Sequence, residues 1–302
     1  MTTLTRPMPD NRLGPVPSRP AYKPGWKHKL LALPAIVWVI VLVLLPNLFL
    51  VLYSLWSNDF GTVTPEFTLE NFQATFSSSV FQSLFGRSLF IAITSSLIAT
   101  VIAYGAAYVV VRTFGRYKTL GALLILVPLW VSYLMRVFAW KIILGEEGVL
   151  AGFAGSLGMS EASKAFLYSQ TSVIITLTYV AIPYAFLSVY TSLDRIPGHL
   201  LQASADCGAN AWTTFRRIVW PLSRPGAAVG FGIAFVLTFG DYVTPAMVGG
   251  LEGTMLGSLV LQQFGAANNW PMGAAIGLTI VATGLIVLAV VSLFTRLETP
   301  LD

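Results

Sequence analysis

The sequence predicts an all-α, polytopic membrane protein with six transmembrane helices. Three observations point there. Of the 302 residues only 10% are charged and 55% are hydrophobic, and the mean hydropathy is +0.74. A soluble domain carries roughly 25% charged residues. So large a deficit leaves too little polar side chain to cover a water-facing surface, and lipid is the natural solvent for much of it. Apolar runs near the ~20 residues that cross a bilayer recur along the chain, and Lys and Arg gather in alternate connections between them.

The elements follow in order. Residues 1–29 are polar and carry Pro9, Pro15, Pro17, Pro20 and Pro24, which predicts a disordered tail. The first apolar run, about 30–56, is longer than the ~7–15-residue core of a signal peptide, so an uncleaved first span is expected. It includes Pro34 and Pro46, which membrane helices tolerate better than soluble ones. Ser88–Val111 is an uncharged second run, and 119–144 a third, interrupted by Arg136 and Lys141. The fourth lies within 165–193 and contains Pro183. The fifth covers about 225–248 and carries Asp241; the sixth covers about 272–294. The six-span domain is thus 30–297, with a short tail at 298–302.

Orientation follows from the basic residues. Arg6, Arg12, Arg19, Lys23, Lys27 and Lys29 precede the first span, Arg112, Arg116 and Lys118 join spans two and three, and Arg195, Arg216, Arg217 and Arg224 join spans four and five. Arg296 follows the sixth. The other connections carry Asp59, Glu66, Glu70, Glu146, Glu147, Glu161 and Glu252, with Lys164 as their clear basic residue. Positive charge favours the cytoplasmic side, so both termini are expected there. The same distribution accounts for the net charge of +5 without nucleic acid. The lone Cys207 excludes an intramolecular disulfide.

The connection between spans four and five, residues 194–224, is long for a turn between helices. It reads as two short helices broken near Gly208, the second amphipathic through Trp212, Phe215, Ile218 and Val219 and closed by Pro221 and Pro225. Such a shape can insert into a partner's groove or rest on the lipid interface.

Catalytic chemistry is not expected. The chain has no G-x-x-x-x-G-K-[ST] phosphate loop and no G-x-S-x-G elbow. Its two histidines, His28 and His199, lie far apart, which argues against a metal site. No cofactor is expected. The in-span charges carry more meaning, since each costs at least about 2.5–3.5 kcal/mol at mid-membrane. Asp241 sits in Phe239-Gly240-Asp241-Tyr242-Val243-Thr244-Pro245, where glycine and proline predict a helix interruption. Two readings stand: Asp241 and Tyr242 face a pathway for a cationic solute, or Asp241 pairs with Arg136 as a structural ion pair. Trp130, Tyr133 and Tyr104 are further pathway candidates, although packing or interfacial anchoring is the commoner role for such residues.

The segment Leu201-Gln202-Ala203-Ser204-Ala205-Asp206-Cys207-Gly208-Ala209, with Phe215, Ile218, Pro221 and Pro225 behind it, resembles the "EAA" loop of type I ABC-importer permeases. The spacing E-A-A-x-x-x-G-A followed by isoleucine and proline matches over about two dozen residues. Gln202 stands for the usual glutamate and Ser204 for the second alanine. Gln202 keeps length and hydrogen bonding without the charge, so a docking surface is expected here rather than a salt bridge. Val127-Pro128-Leu129-Trp130, Leu134-Met135-Arg136-Val137, Trp140-Lys141-Ile142, the Asp241 motif with Gly249-Gly250, Gln262-Gln263-Phe264 and Asn269-Trp270-Pro271-Met272-Gly273-Ala274-Ala275 resemble the spermidine/putrescine-type members. The resemblance covers about 30–297.

That resemblance implies the type I permease fold and a multi-pass subunit of a bacterial inner membrane, forming half of a pore for a small, polyamine-like solute. A second, homologous permease subunit would complete the pore. A cytoplasmic ATPase dimer would supply energy, and a periplasmic solute-binding protein would deliver the solute. Gln202, Ala203, Ser204, Asp206, Gly208, Ala209, Phe215 and Pro221 would form the ATPase-coupling loop; Asp241, Tyr242, Trp130, Tyr133 and Arg136 would line the pathway. The competing expectation is a stand-alone secondary transporter or channel. It calls for internal repeats and more intramembrane ionisable groups, and the long loop would then have no partner.

Overall fold

In the computed structural model the described residues are 33–34, 37–59, 61–156 and 167–296. The expected tails 1–29 and 298–302, and Glu161 and Lys164, lie outside them. The chain divides into two compact units, Met1–Leu48 and Phe49–Asp302. Helix α1, Val37–Ser54, crosses that division and is exposed nearly all round, with 6% of its span buried. A widened π turn, Ile40–Leu44, precedes Pro46, whose missing N–H removes one helical bond. Asn47 donates its side-chain amide to the Val43 carbonyl at 2.7 Å, so this polar group is satisfied inside the helix, as hydrocarbon requires.

The second unit opens with a hairpin, β1 (Ser57–Asp59) against β2 (Thr62–Thr64), and helix α2 (Glu70–Ser77). Asn71 of α2 donates to the carbonyls of Ser54 and Trp56 at 3.0 and 2.7 Å. Helix α3 runs from Ser79 to Thr113, starting earlier than the uncharged run predicts. Its extra turns have an apolar partner: Phe81 packs with Leu256 and Ile276. The buried face of α3 is lined by Ser88, Ala92, Ser95, Ser96, Ala99 and Ala103. Small side chains of this kind let membrane helices approach closely.

Helices α4 (Gly115–Trp130) and α5, which begins at Tyr133, correspond to the third predicted span, but the two arms meet at 89°. The span is broken, not straight. Pro128 interrupts the ladder, and Val131 and Ser132 adopt extended backbone, with ψ of 137° and 139°. Helix α5 ends at Leu144, and α6 is Val149–Ser156. Helix α7, Gln170–Asp194, starts with a reciprocal cap between Ser169 and Ser172 and carries Pro183 buried in its interior.

Helix α8, Gly198–Asp206, is the first arm of the long loop. The second arm is not a separate helix. Helix α9 runs without interruption from Ala211 to Phe239, so Pro221 and Pro225 do not close the loop as expected. A π turn at Phe215–Val219 lies directly before Pro221. Such a widened turn accommodates a proline ring that would otherwise clash with the carbonyl four residues back. The predicted fifth span also ends early: α9 stops at Phe239, and a short π turn, Pro245–Gly249, follows the break. Helices α10 (Leu256–Phe264) and α11 (Trp270–Arg296) complete the chain.

The core is α3, α7 and α9 packed on one another. Glycine sets the α7–α9 approach: a Cβ at Gly226 would lie 2.3 Å from the Ser192 Cβ. Ser96 and Thr238 share a buried hydrogen bond of 3.1 Å between α3 and α9. Among the described residues five helices are long and apolar enough to cross a bilayer, and six spans result when the bent α4–α5 pair is counted as one.

Candidate functional site

Two places in the second unit gather the residues singled out above: the break after α9 and the loop before it.

At the break, Gly240 ends α9 and the Asp241 carboxylate takes over as cap. Its Oδ1 accepts from the Val243 N–H at 3.0 Å, and its Oδ2 from the Thr244 N–H at 3.2 Å. Tyr133, the first residue after the break in the third span, donates its hydroxyl to the same Oδ2 at 2.5 Å and lies 2.8 Å from the Thr244 hydroxyl. Two interrupted spans therefore meet at one carboxylate. Gly257 permits it, since a Cβ there would come within 2.8 Å of the Asp241 carbonyl oxygen. Irregular backbone at membrane depth is tolerated where it is buried in protein or lines a cavity. Here it lines a cavity: Asp241, Tyr242, Tyr133, Tyr184 and Thr238 border a space of about 330 Å³.

The alternative ion pair does not form. Arg136 is 6% exposed, and its Nε and Nη1 have no hydrogen-bond partner among the described residues. Its guanidinium carbon lies 5.6 Å from the centre of the Tyr133 ring. The Tyr133 hydroxyl and two backbone amides, not a cation, satisfy Asp241. Arg136 does not line the cavity, and neither does Trp130, which is 79% exposed at the bend. Tyr242 is 46% exposed. Tyr184 and Thr238 escaped the sequence reading, because each is an ordinary polar residue inside an apolar run. Tyr184 directly follows Pro183, the one local signal that pointed near it. Tyr104, the remaining pathway candidate, lies elsewhere, with its hydroxyl 2.7 Å from that of Ser223.

At the loop, α8 ends in a Schellman motif. The Ala209 N–H donates to the Ser204 carbonyl at 3.1 Å, and the Gly208 N–H to the Ala205 carbonyl at 2.8 Å. Gly208 sits at φ 73°, left-handed backbone that glycine adopts without a Cβ penalty. Asn210 caps α9 by accepting from the Thr213 N–H at 2.8 Å. Ser204 lies 2.8 Å, hydroxyl to hydroxyl, from Thr214, so the serine that departs from the family pattern ties the two arms together. Gln202, Ala203, Asp206 and Gly208 are exposed, while Ala209 and Pro221 are half-buried. Phe215 is turned inward, stacked on Trp212 and edge-on to Tyr104 and Tyr108. Lys118 bonds Asp194 at 2.5 Å, joining the α3–α4 connection to the start of the loop.

Residues 30–299 match the family of binding-protein-dependent transport system inner membrane components. The chain belongs to this family. It is a permease subunit of an ABC importer, as are its relatives. It is 33% identical to the inner membrane ABC transporter permease protein YdcU of Escherichia coli (strain K12) over 282 residues, 86% of this chain and 90% of that one. It is 30% identical to the spermidine/putrescine transport system permease protein PotB of the same organism, over 83% of this chain and 92% of PotB. Among solved structures, the permease fold is shared with a bacterial ABC transporter involved in import of the acidic polysaccharide alginate. The TM-score is 0.72 at 16% identity, over 91% of this chain and 96% of that one. It is also shared with the MetNI methionine ABC transporter, at TM-score 0.56 and 17% identity, over 74% of this chain and all of that one.

Proposed function

We propose that this permease forms one half of a translocation pathway, completed by a second, homologous permease subunit, and imports a small organic cation of polyamine-like chemistry. The observation that carries the reading is the continuity of α9. It begins at Ala211, two residues after the Gly208–Ala209 turn, and ends at Phe239, two residues before Asp241. Its 29 residues span about 43 Å. A displacement imposed on the loop is therefore delivered to the break. In this reading a cytoplasmic ATPase dimer grips Gln202, Ala203, Asp206, Gly208 and Ala209, and its nucleotide-driven closure shifts the permease between two packings.

The solute class rests on the cavity at the break. One carboxylate and the rings of Tyr133, Tyr184 and Tyr242 border it. An anion beside aromatic faces attracts ammonium groups. The spermidine/putrescine system of PotB supports the same class. Both termini are placed in the cytoplasm, with Arg112, Arg116, Arg216 and Arg217 on that side. The opposite face would receive solute from a periplasmic binding protein, in keeping with the alginate transporter, whose structure was determined in complex with a loaded periplasmic protein.

The test is reconstitution in proteoliposomes with the ATPase, the second permease and the binding protein. Uptake of labelled putrescine should require ATP and all components. Ion-gradient-driven uptake by this chain alone would overturn the proposal, and ATP-driven uptake restricted to anionic solutes would overturn the solute class.

A further inference from the structure

A second cavity, of about 610 Å³, lies between the loop-side halves of α3 and α9 and plays no part in the pathway above. Leu97, Val101 and Tyr104 form one wall, Trp220, Ala227 and Phe231 the other. Nearer the break the same crevice is filled: Ile280 and Val287 of α11 pack with Phe231, Phe235 and Phe239 of α9 and with Ala92 of α3. No residue of α11 lines the groove itself. Leu97 and Val101 are left 55% and 64% exposed. The groove lies between two helices long and apolar enough to cross a bilayer, where apolar matter must fill it.

Charge decides what that matter is. Among the described residues Arg216 is the one charged side chain lining it and stands at the loop end, beside Trp212, which is 68% exposed. An apolar trough that ends in a guanidinium group and exposed tryptophans complements an anionic phospholipid. Tryptophan belongs at headgroup level, and basic pockets between spans on the cytoplasmic side suit anionic headgroups.

We propose that this groove is a binding site for one acyl chain of an anionic phospholipid, with the chain along Leu97–Tyr104 and the phosphate at Arg216. Only the choice of the cytoplasmic leaflet rests on the orientation proposed above. The stretch from Leu97 to Tyr104 rises about 10 Å, so it holds part of an extended chain. A bound chain would brace α9 against α3 at the point where the loop enters the membrane, so lipid composition would bear on coupling.

The site is tested in the assembled transporter, by lipid binding and not by uptake, so its failure is distinct from failure of the transport reading. A benzoylphenylalanine placed at Val101 and photolysed in native membranes should gain the mass of one phospholipid; an adduct with a protein overturns the proposal. The purified, delipidated complex, offered phosphatidylglycerol or phosphatidylcholine and weighed by native mass spectrometry, should retain phosphatidylglycerol about fivefold better. Arg216→Gln should abolish that preference, and Val101→Trp, which fills the groove, should abolish retention. Equal retention of the two lipids, or a preference that survives Arg216→Gln, overturns it. Both positions are exposed, so neither substitution disturbs the core.

Discussion

The Tyr133 hydroxyl donates to the Asp241 carboxylate across 108 residues of sequence, joining the break in the third span to the break in the fifth. Neither break is stable alone in a bilayer, because each leaves backbone groups outside a helical ladder. Together they share one cap, and the cavity opens beside it.

Tyr133→Phe removes that link while leaving Asp241 its two backbone donors. A hydrogen bond to a charged group is worth about 1.5–3 kcal/mol, so the purified complex should melt at a lower temperature with all spans still inserted. An unchanged melting temperature would show that the two breaks are held apart from this contact.

Asp241→Asn keeps one carbonyl oxygen for the cap and discards the charge. Protein level should hold while uptake of a cationic solute falls by about tenfold, the factor that ~1.4 kcal/mol of lost attraction produces. Asp241→Ala should lose stability as well, by about 0.5–2 kcal/mol, the cost of a missing cap. Parallel loss of protein and uptake in Asp241→Asn would assign the carboxylate to capping alone. Radiolabelled uptake normalised to membrane protein separates the two.

Gly208→Val forces a branched side chain into backbone at φ 73°. No neighbouring atom lies within 4 Å of a Cβ placed there, so the cost is conformational, at least about 1–2 kcal/mol. The turn should reopen and misdirect α8. Spans should insert normally, but ATP-driven uptake and co-purification of the ATPase should fall together. Unchanged uptake would remove the loop from coupling.

Arg136→Met removes two buried donors that have no partner among the described residues. Each such group costs about 1–3 kcal/mol, so the isolated permease should become more stable to heat. If the assembled importer loses stability with the same change, a partner subunit supplies the missing acceptor. Melting curves of the chain alone and of the complex distinguish these results.

Much of this was open to the sequence. Gly240 and Pro245 around an in-span acid announced the interruption of the fifth span, and the spacing around Gly208 announced the turn at the end of α8. The bend in the third span escaped the sequence reading: the 89° angle comes from Pro128 and the two residues after Trp130, which hydropathy does not register. Pro221 and Pro225 suggested a helix end that is absent, because a π turn accommodates what a regular helix could not. The Asp241–Arg136 pair looked natural by charge alone, yet a tyrosine hydroxyl and two amides satisfy the carboxylate instead.

Composition and local spacing were enough for the solvent, the apolar segments and the family, because each of these depends only on residues near one another in the chain. Tertiary structure decided which polar groups meet. Tyr133, Tyr184 and Asp241 come from three different spans, and only the close packing of α7 and α9 at glycine, with the paired breaks above it, brings them to one cavity. Ser204, Gly208 and Phe215 lie near one another in sequence. Even there, only the folded turn shows that the serine ties the arms together and that Phe215 turns inward.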